Sequence, residues 1–376
     1  MNSIVLVGFQ KNHYTLYNYL LNIFSSKYEK VCFISNEETL NNVSVKSFNI
    51  KYVEFENNYE SKIYRKYKQL INEYEILIID EYYDRYSRLW NFRFINTTKI
   101  MIIHNANKWL RIIPDKFVNF RSLFDRFYRK SFFLQFNGFI VMEENIKNYL
   151  KDKIVRVPIF YIPFNSPKEN HNWCDSKDGT IRIVIPGTVT SSSRNYSLLL
   201  TSIEQFYRDT PKCRIKFILL GKIDRELEPE LFERIMRLKS AYPTSIDYWT
   251  SFLTDEEFDN IMTASDFVFS NLNEVSFSKD GIAEYVGKTK ATGMSFLVYK
   301  YSKPAIVPKY HSLTGFESQL LIYNDYSGII DIYRNIDEGI IQKSNYLESA
   351  ILNSANYSEL VKKETSSFLD FLEGLN

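Results

Sequence analysis

The sequence predicts an α/β protein built from two doubly wound domains, each with its own parallel sheet. The first half alternates short apolar runs with helical patterns, starting with an apolar run at 3–7 and a helical pattern at 14–24. Apolar runs of this length that alternate with helices indicate parallel strands covered on both faces. A second series of the same kind begins near residue 180. A chain of 376 residues is long enough for two such cores.

The pattern stops at 158–179, a stretch that contains three prolines, several asparagines and a polar run. Such a composition is typical of a linker. The predicted organisation is an N-terminal Rossmann-like domain at 1–163, a linker at 164–179, a C-terminal Rossmann-like domain at 180–355, and a C-terminal helix at 356–376 that packs back on the N-terminal domain.

Composition and charge exclude several classes of protein. A formal net charge of +2 argues against a broadly basic nucleic-acid binder. The three cysteines, Cys32, Cys174 and Cys213, are isolated, which argues against a disulfide framework or a structural zinc site. The start of the chain is typical of a strand rather than a signal peptide, and no apolar window is long enough to span a membrane. We therefore expect a cytoplasmic protein.

Polar residues follow several predicted strands of the first half. Ligands of parallel α/β sheets bind at the carboxyl ends of the strands, so these residues are candidates for a shared cleft. They are Gly8, His13, Asp80, Glu81, His104, Asn105, Glu143 and Glu144.

The stretch at 288–308, KTKATGMSFLVYKYSKPAIVP, predicts a loop, a helix at 294–301, a turn and a buried strand. A loop with Thr292 and Gly293 at a helix start offers unpaired N–H groups and the positive end of the helix dipole, which together bind anions. Lys288 and Lys290 precede it. The alternative is an ordinary helix cap. Further upstream, Thr254 and Glu257 have the spacing of a capping box for a helix at 255–264.

Five segments of the second half occur in a consistent order along the chain. They are IRIVIPGTVTSSSRNYSLLLTSIEQF, RIKFILLGK, IDYWTSFLTDEEFDNIMTASDFVFSNL, KATGMSFLVYKYSKPAIVPK and LTGFESQLLIYN. Over residues 180–330 they resemble the nucleotide-sugar domain of GT-B glycosyltransferases, of the family 4 or group 1 type of bacterial surface polysaccharide synthesis. The first half matches only as fold. The resemblance implies two Rossmann-like domains facing each other across a cleft. It also implies sugar transfer from a UDP- or GDP-linked donor to a glycan or lipid-linked acceptor.

One departure from the family concerns retention of configuration. Many retaining members carry two glutamates seven residues apart, and Leu297 occupies the second of those positions here. Glu274 and Glu284 are ten apart and do not fit. Retention is therefore not implied. Glu317 is the candidate that would bind the ribose hydroxyls instead, with a surface glutamate as the alternative.

The predicted donor site combines a helix start with basic side chains. Arg binds phosphate oxygens as a fork, and Lys acts as a point charge. We expect the loop at Gly187 and Thr188 to cover the donor and Phe252 to frame the nucleobase, with a core position for Phe252 as the alternative. The diphosphate would contact Arg194, Lys222, the N–H groups of Thr292, Gly293, Met294 and Ser295, and the Thr292 hydroxyl. The alternative role for Arg194 is that of a solvated residue at the start of a helix.

The acceptor hydroxyl must lose a proton, and the candidates for its base are His104, His13 and Asp80. The alternative for both histidines is a hydrogen-bonded structural role, and that for Asp80 is a solvated loop residue. No Asp-x-Asp motif occurs, so we expect neither a bound metal nor a cofactor; the nucleotide sugar is a substrate.

The stretch at 108–130 has seven Lys or Arg against two Asp, with Phe117, Phe120, Phe124 and Phe127 at helical spacing. It predicts an interfacial helix on an anionic inner membrane leaflet, with a core-packed helix as the alternative. Two other functions remain open: a sugar-nucleotide epimerase of the same architecture, and a non-catalytic partner subunit of a glycosyltransferase. Homo- or hetero-oligomers are both compatible with the sequence.

Overall fold

A computed structural model describes residues 3–10, 13–55, 60–81, 95–111, 113–116, 120–163, 178–278 and 281–374. The chain forms two compact units. Unit 1 consists of Met1–Asn165, Phe277–Ala291 and Leu360–Asn376, and unit 2 of Ser166–Ser276 and Thr292–Glu359.

Unit 1 contains a parallel sheet of seven strands in the order β3-β2-β1-β4-β5-β6-β7. The elements are β1 (Ser3–Val7), α1 (Tyr14–Lys27), β2 (Lys30–Ser35), α2 (Glu37–Asn42), β3 (Ile50–Glu54), α3 (Glu60–Ile71), β4 (Ile76–Ile79), β5 (Thr98–Ile103), α4 (Ala106–Leu110), α5 (Phe120–Phe133), β6 (Gly138–Val141), α6 (Glu144–Lys151) and β7 (Ile159–Tyr161). The strand order reverses between β1 and β4, and ligands bind at such switch points.

Unit 2 contains a parallel sheet of six strands in the order β10-β9-β8-β11-β14-β15. The elements of this part of the chain are β8 (Ile181–Pro186), α7 (Tyr196–Asp209), β9 (Ile215–Lys222), α8 (Pro229–Ala241), β10 (Ile246–Trp249), α9 (Asp255–Ala264), β11 (Phe267–Phe269), β12 (Val275–Phe277), β13 (Ala283–Tyr285), α10 (Gly293–Tyr301), β14 (Ala305–Pro308), β15 (Leu320–Tyr323), α11 (Tyr326–Asp337) and α12 (Leu347–Glu373). A separate two-stranded sheet pairs β12 with β13. In the six-stranded sheet the order reverses between β8 and β11.

These two parallel sheets confirm the predicted doubly wound α/β class. The predicted capping box is also present: Thr254 accepts from the Glu257 backbone, and the Glu257 carboxylate accepts from the Thr254 backbone at the start of α9. The strands form where the apolar runs lie because both faces of each sheet are buried, as in the four-residue strands β4 and β14, in which every residue is buried.

The structure differs from the predicted boundaries at Phe277–Ala291, which was expected in the second domain and belongs to unit 1. Its backbone is hydrogen-bonded to the residues around α4, a long-range pairing with no local signal. The second half of α12 also belongs to unit 1, where Phe368 lies 5.2 Å from the Phe160 ring and Glu364 2.6 Å from Lys147. Most of the predicted linker, at 164–177, lies outside the described residues.

The stretch at 108–130 is not one helix. α4 ends at Leu110, and α5 begins at Phe120, after Pro114 interrupts the pattern. Arg126 and Arg129 are buried rather than on a basic outer face, while Phe127 is 62% exposed. Phe117 and the side chains of Phe120 and Phe124 lie outside the described part. Among the described helices, none combines the length and apolar character needed to cross a bilayer.

Candidate functional site

The predicted catalytic residues of unit 1 meet at the switch point of its sheet. Asp80 follows β4, His104 follows β5, and His13 precedes α1. His13 Nδ1 lies 2.9 Å from Asp80 Oδ2, and His104 Nε2 lies 2.6 Å from Asp80 Oδ1. The structure therefore places one carboxylate between two imidazoles.

Asp80 is fully buried, and both of its oxygens accept two hydrogen bonds. Oδ1 accepts from His104 Nε2 and from the Glu81 N–H, while Oδ2 accepts from His13 Nδ1 and from the Tyr17 hydroxyl. A carboxylate has about four acceptor positions. All four hydrogen-bond acceptor positions of the Asp80 carboxylate are thus occupied by donors of the protein itself.

The charges of this cluster support one another. Burial by itself would raise the pKa of Asp80, but the imidazoles of His104 and His13 outweigh it and hold that pKa far below its usual range. Burial by itself would lower the pKa of His104, but the Asp80 carboxylate outweighs it and raises that pKa. Asp80 is therefore a permanent anion that stabilises positive charge on an adjacent imidazole.

The two histidines differ in access to solvent. The His13 side chain is 30% exposed, while that of His104 is 9% exposed. With Nδ1–H of His13 donated to Asp80, its Nε2 remains an acceptor on the opposite side of the ring. His13 thus has the geometry of a general base, whereas His104 is better suited to holding Asp80 in place.

Tyr17 belongs to this site, although in the sequence it is one of several apolar and aromatic residues of α1. Its hydroxyl donates to Asp80, and the Gln10 N–H donates to the same hydroxyl. Gly8, directly after β1, makes room for the ring, because a Cβ there would lie 2.7 Å from the Tyr17 ring. The glycine at the end of β1 was the one local signal for a close approach.

The segment Phe277–Ala291 supports the residues that follow β5. The Ala291 N–H donates to the His104 carbonyl, and the Ala106 N–H donates to the Thr289 carbonyl. The Glu284 carboxylate accepts the backbone N–H groups of Asn107 and Lys108 at 3.2 and 2.6 Å. This segment therefore fixes the backbone of His104 and the start of α4.

A second buried carboxylate, Glu81, completes this support. It accepts the backbone N–H groups of His104 and Asn105 at 2.7 and 3.0 Å, and Lys108 Nζ lies 3.1 Å away. Burial lowers the pKa of Lys290, which interacts with Glu284 and Glu81. Lys288 and Lys290 belong to unit 1, whereas the predicted anion site at Thr292 begins in unit 2.

The shifted pKa of Glu284 predicts how the stability of the fold depends on pH. Burial raises its pKa from 4.5 to about 7, with Glu81 as a further unfavourable neighbour. The folded state therefore binds the proton of the Glu284 carboxyl group more tightly than the unfolded state does. The stability that this proton contributes is fully present below pH 4.5 and is lost as pH rises through 7. We expect the unfolding free energy to fall by about 3 kcal/mol across this window.

The measurement for this prediction is urea unfolding at several pH values between 4 and 8. Glu284→Gln removes the titrating group and should flatten the decline; its amide oxygen can accept the Lys108 N–H, while the contact with the Asn107 N–H, made by the other carboxylate oxygen, is lost. The raised pKa of His104 also lowers the unfolding free energy as pH rises above 6.5. This smaller pH dependence should be the same in the wild type and in Glu284→Gln. Equal slopes in the wild type and the variant would contradict the assignment.

In unit 2, Arg194 lies at the switch point between β8 and β11. Its NH1 donates to the side-chain oxygen of Asn271 at 3.0 Å. Among the described residues no carboxylate pairs with it, and burial lowers its pKa. A partly buried guanidinium that has an amide but no carboxylate as partner is suited to bind an anion.

Gly187, at the end of β8, makes room for Arg194. It has φ +101°, and a Cβ there would lie 2.2 Å from Arg194 NH2. Gly221, on the adjacent strand β9, is required for the same turn, since its Cβ would lie 2.2 Å from the Gly187 carbonyl oxygen. Thr188 is exposed beside it.

We expect Gly187→Ala to weaken nucleoside diphosphate binding about tenfold, because the new methyl group displaces the guanidinium. The positive φ should also reduce stability by about 1–2 kcal/mol. Gly179→Ala is the matched control: φ is +68°, and nothing lies within 4 Å of its Cβ position. Calorimetric titration with UDP and GDP should show weaker binding for Gly187→Ala alone; equal affinity in both variants would contradict the prediction.

The predicted anion site at α10 is only partly free. Thr292 is the N-cap, and its hydroxyl accepts the Ser295 N–H at 3.5 Å and lies 3.1 Å from the Ser295 hydroxyl. These two groups are therefore engaged in the cap. The N–H groups of Gly293 and Met294 have no hydrogen-bond partner within the described chain, and nothing lies within 4 Å of a Cβ at Gly293. Of the four N–H groups predicted to bind the anion, those of Gly293 and Met294 are thus the ones available to it.

Lys222 and Phe252 lie together at the ends of β9 and β10. Lys222 Nζ is 5.3 Å from the Phe252 ring centroid and 3.8 Å from Asp224. Phe252 is 77% exposed, so it is not part of the core. An exposed ring beside a flexible cation offers a flat surface for a base.

Glu317 lies in the chain segment that directly precedes β15. Its carboxylate accepts the Gly315 N–H at 3.1 Å. The adjacent Phe316 and Gln319 contact Tyr299 and Ser302, at the carboxyl end of α10. The binding of the ribose hydroxyls by Glu317 stays a prediction. Sequence spacing could not show which end of the helix this loop would contact.

His13, Asp80 and His104 also have the spacing of a metal site, since one ligand atom from each lies within 4.8 Å of the others. Asp80, however, already accepts four hydrogen bonds, and a metal ion would have to displace two of them. The set therefore fits a metal poorly and a hydrogen-bonded acid–base cluster well.

Comparisons with known proteins agree with this architecture. Neither a protein-family model nor a curated protein sequence matches this chain. Solved structures do match over nearly the full length. The α,α-trehalose-phosphate synthase (UDP-forming) of Burkholderia vietnamiensis has a TM-score of 0.65 at 8% identity, covering 100% of both chains. The chain has the GT-B fold.

Two further structures support the same fold. A glycosyltransferase from Rickettsia africae matches with a TM-score of 0.65 at 13% identity, covering 99% of this chain and 98% of that chain. The N-terminal domain of trehalose-6-phosphate phosphatase from Candida albicans matches with a TM-score of 0.62 at 13% identity, covering 99% and 97%. At these sequence identities the structural similarity shows the fold alone.

Proposed function

We propose that this protein is a metal-independent glycosyltransferase that moves a sugar from a nucleoside diphosphate donor to an acceptor hydroxyl. The observation that carries the proposal is Arg194, a guanidinium at the switch point of unit 2 with no carboxylate partner among the described residues. Further donor contacts come from the exposed ring of Phe252 and from the N–H groups of Gly293 and Met294, which have no hydrogen-bond partner among the described residues.

In the proposed reaction the bond between the anomeric carbon and the diphosphate oxygen breaks as the acceptor oxygen bonds to that carbon. The acceptor proton passes to His13 Nε2, and Asp80 stabilises the resulting imidazolium. Arg194 and the start of α10 stabilise the negative charge on the departing nucleoside diphosphate. A base acting in a single displacement leads to inversion at the anomeric carbon.

A turnover assay tests this proposal. The protein is incubated with a panel of UDP- and GDP-linked sugars, with and without glycan acceptors, in the presence of a chelator. We expect nucleoside diphosphate release that depends on the acceptor and persists with the chelator. Conversion of the donor without acceptor would indicate an epimerase. Neither binding nor turnover across the panel would leave a non-catalytic partner subunit.

We propose a lipid-linked acceptor of surface polysaccharide synthesis on the basis of the resemblance of residues 180–330 to the family 4 type. The surface of α5 is compatible with membrane contact, since Phe127 and Tyr128 are 62% and 39% exposed and Lys130 is exposed beside them. Co-sedimentation with vesicles of anionic lipid should fall in Phe127→Ser. Arg126 and Arg129 are buried and are not suitable for this test.

A further inference from the structure

His311 is a buried histidine that neither the reaction nor the sequence patterns include. It follows β14, is 1% exposed, and its Nδ1 lies 3.1 Å from the Ser270 hydroxyl oxygen. Its Nε2 is buried and has no hydrogen-bond partner among the described residues. Burial lowers the pKa of His311 to about 4, so the ring is neutral near pH 7 and contributes a hydrogen bond rather than a charge.

Ser270 opens the turn that follows β11, the strand beside β14. The Ser270 N–H donates to the Ile306 carbonyl at 2.8 Å, and the Tyr323 hydroxyl donates to the Ser270 carbonyl at 2.9 Å. With the His311 contact, this residue is fixed through its N–H, its carbonyl and its hydroxyl. Ser270 is fully buried, so the position of the turn is closely defined.

The next residue, Asn271, is the partner of Arg194. Its side-chain oxygen accepts from Arg194 at 3.0 Å, and its carbonyl accepts the Asn195 N–H at 2.7 Å. Asn271 is 2% exposed and therefore has little freedom of its own. A shift of the Ser270 side of the turn would move the oxygen that holds the guanidinium.

We propose that His311 is a positioning residue of the donor site, holding the turn at Ser270 and Asn271 that fixes Arg194. This inference rests on the proposed function, because Arg194 is taken to bind the donor diphosphate. The observation behind this inference is the 3.1 Å contact between His311 Nδ1 and the Ser270 hydroxyl oxygen. The buried Nε2 has no partner among the described residues and so adds no stabilising hydrogen bond, since an unpaired buried polar atom destabilises the fold.

The test compares His311→Phe, Ser270→Ala and the matched control Ser265→Ala. Ser265 is buried at the opposite end of β11, and its hydroxyl donates to the Met262 carbonyl at 2.7 Å. We expect His311→Phe and Ser270→Ala to weaken UDP or GDP binding about tenfold. The melting temperature of His311→Phe should be unchanged or higher. Ser265→Ala should bind as the wild type does. Unchanged affinity in His311→Phe would overturn the proposal.

The route through Arg194 is tested by a double-mutant cycle. In an Arg194→Ala background, His311→Phe should cause no further loss of affinity, because the group it positions is absent. Losses that add fully would overturn the positioning role.

A readout without nucleotide separates this proposal from the proposed function. In ¹⁵N-arginine-labelled protein, the Arg194 Nε–Hε signal, assigned with Arg194→Lys, should shift or broaden in His311→Phe and stay in place in Ser265→Ala. If the wild type binds neither nucleotide, the proposed function fails while this signal still decides the positioning role. An unchanged signal would overturn it.

Discussion

Replacing Asp80 with asparagine is expected to lower the transfer rate about a thousandfold while donor affinity stays unchanged. The carboxylate is buried and accepts from His13, His104 and Tyr17, so an amide both removes its charge and turns an N–H₂ group toward donors. His13 then loses the carboxylate that accepts its Nδ1–H and orients the ring. The measurement is kcat at saturating donor and acceptor.

The control for this prediction is His13→Gln, which removes the base itself. Its loss should be of similar size, and the double variant should lose little more, because groups that act as a unit are not additive. Donor binding by calorimetry verifies that each variant is folded. Activity of Asp80→Asn within threefold of the wild type would contradict the role of the cluster.

Replacing Arg194 with alanine is expected to weaken UDP or GDP binding by about 1.5–3 kcal/mol, or roughly 10- to 150-fold. The variant loses charge-assisted hydrogen bonds to the diphosphate. Arg194→Lys should restore only part of the affinity, since an ammonium cannot form the bidentate contact. Isothermal titration calorimetry measures all three proteins.

Arg208→Ala is the matched control, because Arg208 is an exposed arginine in the last turn of α7, the helix that Arg194 precedes. It should bind nucleotide as the wild type does. Unchanged nucleotide affinity in Arg194→Ala would contradict the assignment of Arg194 to the diphosphate, even if the protein still transferred a sugar.

The sequence predicted the ends of β4 and β5 well because both strands end in a run of apolar residues, ILII and IMII. That placed Asp80 and His104 correctly at the ends of β4 and β5. Only the strand order, with β1 beside β4 and β4 beside β5, brings His13 to the same carboxylate. This order depends on packing across the whole sheet and has no local signal.

Other parts of the site arise from contacts between distant residues. Glu284 supports α4 through a chain segment that returns from the second half of the sequence, and Asn271 reaches Arg194 across the switch point. Phe252 could equally have been core by composition; only the structure shows that it is exposed. The Gly315 N–H donates to the Glu317 carboxylate, a contact that the sequence spacing did not predict.

A crystal structure of the protein with UDP or GDP bound tests the central claim most directly. The predicted result is a diphosphate within hydrogen-bond distance of the Arg194 guanidinium and of the N–H groups of Gly293 and Met294, with the base near Phe252. A nucleotide bound away from the switch point of unit 2, or no nucleotide at millimolar concentration, would contradict the account.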